Sequence, residues 1–135
     1  MKITIATNVE SSTEKVWTAW TSPEAIMSWN FASDDWCCPS AQLDLKAGGK
    51  FCYRMEAKDG SAGFDFSGDF TKVEEMKRIE FCLGDGRTVE VDFESVGDVV
   101  KVTETFEAED ENSAEVQKHG WQSILDNFKK HAEKA

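Results

Sequence analysis

Hydrophobic residues along this chain keep two periods, and the switch between them outlines an architecture. The opening Lys2–Val9 alternates, with Ile3, Ile5 and Val9 on one face, as a half-buried strand does. Ser11, with Glu14 three residues on, predicts a capping box for a short helix striped by Val16, Trp17 and Trp20. Ser22-Pro23-Glu24 predicts a second short helix, because a serine N-cap followed by proline is a start signal; Ile26, Met27 and Trp29 form its apolar side. Residues 30–41 show no period and read as an irregular loop, a flap carrying Phe31 and Trp36.

From Gln42 the period is two. Leu43 and Leu45 precede the turn Ala47-Gly48-Gly49, and Phe51, Tyr53 and Met55 alternate up to the hairpin turn Lys58-Asp59-Gly60. Phe64, Phe66 and Phe70 share a face, with Gly68 marking a bulge or sharp bend and Val73 closing the strand. Ile79, Phe81 and Leu83 make the next strand, then Val89, Val91 and Phe93, then Val100, Val102 and Phe106. After Ser113 the spacing lengthens to between three and four. Val116, Gly120, Trp121, Ile124, Leu125 and Phe128 stripe one helix of about 20 residues, roughly 30 Å long, with lysines near its C-terminus. The expected fold is α+β: a curved antiparallel sheet of six or seven strands, two short helices after the first strand, and one long helix able to cover a sheet face.

At 135 residues the chain has the size of a single domain and can bury about two-thirds of its unfolded surface. Nine Phe and five Trp are many for that length, so some rings are expected to line a cavity. The net charge of −11, with no clustered Lys or Arg, argues against nucleic acid and anionic membranes as partners. No apolar run approaches the ~20 residues of a membrane span, and no basic start precedes an apolar stretch. Cys37, Cys38, Cys52 and Cys82 form no C-x-x-C pair and fit no zinc spacing with His119 and His131. Reduced thiols in a cytoplasm, with no metal and no cofactor, are the expectation.

Four segments in series carry a resemblance that spans nearly the whole chain. They are Val16-Trp17-Thr18-Ala19-Trp20-Thr21-Ser22-Pro23-Glu24 with Trp29, Asp44-Leu45-Lys46-Ala47-Gly48-Gly49-Lys50-Phe51, Gly68-Asp69-Phe70, and Gly120-Trp121. In these the chain resembles the START-like (SRPBCC) superfamily, in the branch related to the activator of the ninety-kilodalton heat-shock chaperone's ATPase. The resemblance implies one helix-grip domain over residues 1–135 and a container function, since members bind lipids, hormones or polyketides and only some catalyse reactions. The chaperone activator itself carries a second domain alongside this type of domain.

Alternation assigns the lining of such a container. Phe51, Tyr53, Phe64, Phe66, Phe81 and Phe93 would face inward from the sheet, Trp121, Leu125 and Phe128 from the helix, and Trp29, Phe31 and Trp36 would stand at the mouth. The alternative is a core in which these rings fill the space themselves. Glu104 falls in step with Val100, Val102 and Phe106 and so points inward, to anchor a polar head group or act as a general base. His119, beside Gly120-Trp121, is the second acid/base candidate. Arg54 alternates outward, toward a surface ion pair, and Asp44 is expected to hydrogen-bond amides of its turn.

Three functions follow. The first is non-catalytic binding of a small hydrophobic or amphipathic molecule. The second is a cyclase- or hydrolase-like enzyme using Glu104 or His119. The third is a co-chaperone-like or stress-related interaction domain. A homodimer is left open.

Overall fold

The computed structural model describes residues 1–134; Ala135, the last residue of the expected domain, lies outside the described residues. Strands β1 (Lys2–Val9), β2 (Trp36–Leu43), β3 (Lys50–Ala57), β4 (Gly63–Glu74), β5 (Arg78–Leu83), β6 (Thr88–Val96) and β7 (Val99–Glu107) form one antiparallel sheet. Its order is β1-β7-β6-β5-β4-β3-β2, so β2 to β7 run as a meander and β1 closes against β7. Helices α1 (Thr13–Thr21) and α2 (Pro23–Trp29) follow β1, and α3 (Ala114–Lys134) ends the chain. The seven strands, two short helices and one long helix are those of the expected α+β helix-grip fold.

Residues 36–41, read as part of a loop, belong to strand β2 together with Gln42 and Leu43, where the strands were expected to begin. Pro39 has no N–H to give to a ladder, and proline is tolerated in strands at edges and bulges. Here β2 is the edge strand beyond β3, and its register slips between Cys37 and Ser40, around the proline. The cap of α1 moves by one residue: Ser12, not Ser11, accepts from the Lys15 N–H at 3.2 Å. On α2, Ile26 and Trp29 are buried but Met27 is exposed.

Two glycines let the backbone come close to itself. A Cβ on Gly68 would lie 2.2 Å from the carbonyl oxygen of Cys82, so the bend at this point of β4 admits no side chain. The extra residue of the bulged strand sits further on, between Phe70 and Lys72. A Cβ on Gly49 would lie 2.0 Å from the Asp44 carbonyl oxygen. Asp44 acts in this turn through its backbone, which accepts from Lys46 and donates to Lys50, while its carboxylate stands 3.6 Å from Lys46.

Helix α3 is tied along β1 by polar contacts. Gln122 Nε2 donates to the Ala6 carbonyl, Lys129 Nζ donates to the Asn8 carbonyl at 2.6 Å, and Glu133 accepts from the Glu10 N–H at 2.9 Å. The buried stripe of α3 is Gln117, Leu125, Phe128 and Ala132, with Trp121 and Ile124 partly buried. Val116, assigned to that stripe from its spacing, is 62% exposed.

The convex face of the sheet is charged. Arg78 reaches Glu80, Glu90 and Asp92 at 2.7, 3.0 and 2.6 Å, and Arg54 pairs with Glu56 and Asp65, the surface role expected of it.

Candidate functional site

The aromatic residues divide into two groups along the concave side. Trp17, Trp20, Trp29, Phe93 and Phe128 pack ring against ring, with centroids 4.8 to 5.8 Å apart, where α1, α2 and α3 meet β6. This part is solid. Phe51, Tyr53, Phe66, Phe70 and Phe81 belong to β3, β4 and β5, and here the rings form a wall. Trp121 faces that wall from α3. It stacks on Phe106 with centroids 4.0 Å apart and meets Phe66 edge-on.

A hollow of ≈390 Å³ lies between this wall and α3. Of the residues assigned to a lining, Phe51, Tyr53, Phe64, Phe66 and Phe81 stand along it from the sheet, Trp121 and Leu125 from α3, Trp29 from α2 and Glu104 from β7. Four others lie elsewhere. Phe93 and Phe128 are buried in the solid aromatic cluster. Trp36 sits 6.0 Å from Phe64 without lining the hollow. Phe31, also off the hollow, contributes its carbonyl, which accepts from Asn127 Nδ2 at 2.6 Å. His119 is exposed and does not line the hollow. Alternation gave the correct face for Phe93, but a face does not say which end of a curled strand the side chain occupies.

The rim is made by the segment before α3. Gln117, 8% exposed, donates through Nε2 to the carbonyls of Glu109 and Asn112 and accepts from the Glu109 N–H at 2.8 Å. One amide thereby fastens the acidic loop to the helix. Nothing had marked Gln117 as a site residue, although it falls four residues before Trp121 and eight before Leu125. Its polarity hid it in that series. Arg87, in the β5–β6 turn, also lines the hollow, with Nε 2.8 Å from Asp85.

Glu104 is the buried acid of this site. It is 7% exposed, lies opposite Ile5 of β1 and Val91 of β6, and has no hydrogen-bond partner among the described residues. Removal from water penalises its charged form and pushes its pKa up to about 8, so at neutral pH the group is mostly the uncharged acid. Burial likewise pushes the Tyr53 phenol up, and the Cys38 thiol, beside Asn30 and the Ser40 carbonyl. All four cysteines are free thiols. No helix among the described residues is long and apolar enough to cross a membrane.

A family model described as Activator of Hsp90 ATPase homolog 1-like protein matches residues 10–133. Among solved structures, an AHSA1-like protein from Aeromonas hydrophila is similar, at 49% identity and a TM-score of 0.93 over 99% of this chain and 93% of that one. A protein from Cytophaga hutchinsonii is 46% identical, with a TM-score of 0.86 over 98% of this chain and 92% of that one. A protein from Nitrosomonas europaea shares the fold at 17% identity, with a TM-score of 0.84 over 99% of this chain and 95% of that one. No match is found among curated proteins.

Proposed function

This chain belongs to the family of Activator of Hsp90 ATPase homolog 1-like proteins, and from that premise we propose that it binds a small hydrophobic or amphipathic molecule, without converting it, between the sheet and α3. The observation that supports this is the ≈390 Å³ hollow, walled by Phe51, Phe66, Phe70, Phe81, Trp121 and Leu125. Ligand sites run from about 300 to 1,000 Å³ and are mostly apolar with a few placed polar groups. Rings that border a gap lose dispersion contacts on that side, and an apolar guest restores them.

The mostly apolar lining supports a container over an enzyme. Among the described residues, neither His119 nor His131 joins Glu104 along the hollow. A docking surface for a partner protein has less support. The exposed large apolar side chains, Met1, Met27, Phe64, Val96 and Val116, are spread over separate elements, and two of them, Phe64 and Val116, border the hollow. A cytoplasmic setting goes with this reading and with four free thiols.

Octanol titration followed by tryptophan fluorescence tests the proposal, since Trp20, Trp29 and Trp121 line the hollow. Burying an octyl tail at about 0.8 kcal/mol per methylene leads us to expect saturable one-to-one binding with a Kd on the order of 0.1 mM. A response that stays linear and never saturates, together with native mass spectra showing no uptake of octanol, would overturn it.

A further inference from the structure

The polar groups around the hollow can be accounted for one by one. Gln117 is fully engaged with the Glu109–Asn112 backbone, and the Glu109 carboxylate accepts from Asn112 Nδ2. Thr21 donates to the Trp17 carbonyl, Trp29 Nε1 to the Ala19 carbonyl, and the Asn30 side chain meets the Cys38 thiol. Arg87, the only cation along the lining among the described residues, is paired with Asp85. Four groups remain without a hydrogen-bond partner among the described residues: the indole N–H groups of Trp20 and Trp121, the Tyr53 hydroxyl on β3 and the Glu104 carboxyl on β7. Of these, Glu104 is the carboxyl group, more than nine-tenths buried and able to carry a negative charge at moderate pH.

We infer that the guest preferred by this hollow is a cationic amphiphile, an aliphatic amine whose ammonium group pairs with Glu104 while its tail lies against the Phe51 and Phe81 wall. This rests on the ligand-binding reading above and narrows it to a chemical class. A fatty acid meets the opposite environment, since Glu104 and Glu109 share its site and the one cation there is already neutralised. The net charge of −11 also raises the local concentration of cations over anions around the protein. Folding has already largely removed the Glu104 carboxyl from water, so pairing must offset the dehydration of the incoming ammonium and, below about pH 8, the loss of the carboxyl proton.

The pairing moves one proton. The free carboxyl is mostly protonated at pH 7, its pKa lying at about 8. Binding an alkylammonium converts it to the carboxylate, and the O–H proton leaves to the buffer. Affinity for the amine therefore rises with pH below about 8 and levels off above it. The other titratable groups on the hollow are Tyr53, Arg87 and Glu109; α3 contributes only uncharged side chains, and β1 and β6 contribute none to the lining.

Octylamine, octanol and octanoate, titrated into the full chain, separate the possibilities. Octylamine is expected to bind at least about tenfold more tightly than octanoate at pH 8, as a charge-assisted hydrogen bond requires. Its association constant should rise close to tenfold per pH unit between about pH 6 and 7.5, the slope that one released proton gives. Calorimetry in two buffers of different ionisation enthalpy should register close to one proton released at pH 7. Glu104→Gln should weaken octylamine by about tenfold or more and remove the pH slope. If none of the three binds, the container reading falls and this inference with it. If all three bind alike, or octylamine shows no pH slope, the container stands and the amine preference is refuted. The slope belongs to the unmodified protein, so it decides the matter even if the variant fails to fold.

Discussion

Replacing Glu104 by glutamine should make the protein more stable at pH 8 while changing little at pH 5. The acid holds its proton more tightly folded, with a pKa of about 8, than unfolded, where the usual value is 4.5. Unfolding therefore releases a proton across that window, and stability falls as pH rises from 4.5 to 8. At about 1.4 kcal/mol for each pH unit climbed between those two values, the penalty is below about 1 kcal/mol at pH 5 and reaches about 4 kcal/mol at pH 8. A neutral amide of nearly the same shape has no such dependence. Urea unfolding of both proteins at pH 5, 6, 7 and 8 isolates this contribution, because every other titrating group cancels in the difference. The gap in unfolding free energy should move by about 3 to 4 kcal/mol in favour of glutamine between the two extremes. A gap that stays constant within about 0.5 kcal/mol would mean that Glu104 ionises as an ordinary surface acid, and that its carboxyl reaches bulk water. A cost of this size, set against a typical total stability of about 5 to 15 kcal/mol, is what a group kept for its chemistry would carry.

Four further substitutions test the bend in β4, the cap of α1 and the wall of the hollow. Gly68→Ala places a methyl 2.2 Å from the Cys82 carbonyl oxygen and should cost about 2 to 3 kcal/mol, read as a lowered Tm; an unchanged Tm would mean the strands can separate there without loss. Ser12→Ala removes the cap of α1 and should cost about 1 kcal/mol in urea unfolding, whereas Ser11→Ala should cost almost nothing; the reverse order would restore the capping box expected from spacing. Leu125→Ala, at a position 1% exposed, should cost about 2 to 5 kcal/mol and enlarge the hollow. The variant should then take a bulkier alcohol better than octanol, and an unaltered preference would count against Leu125 as part of the wall.

The sheet was legible because its signal repeats. Inward residues at every second position recur in six strands, and Gly60, Gly86 and Gly97, each with φ between 60 and 93°, mark three of the turns between them. The β4–β5 turn carried no such mark, since its left-handed position is filled by Met76 at φ 63°. Residues 36–41 of strand β2 stayed hidden because Pro39 and the register slip around it break the alternation that identifies a strand. Within the site, Glu104 could be read because a carboxylate in phase with Val100, Val102 and Phe106 has only the core to point into. Gln117 and Arg87 could not, since their roles depend on backbone and charges brought close by the turn before α3 and the β5–β6 hairpin. Phe93 and Phe128 were assigned to the right faces, but the position along a curved sheet is set by where α1 and α2 press. Those helices fill their end of the core with Trp17 and Trp20.

The five tryptophans offer the most direct test of the hollow. Trp20, Trp29 and Trp121 line it, while Trp17 and Trp36 do not. In a two-dimensional NMR titration with octanol, the indole N–H signals of the first three should move together and saturate, and those of Trp17 and Trp36 should stay in place. Shifts spread evenly over all five, or confined to Trp36 beside the exposed Phe64, would put the alcohol on the surface and contradict a guest held between sheet and helix.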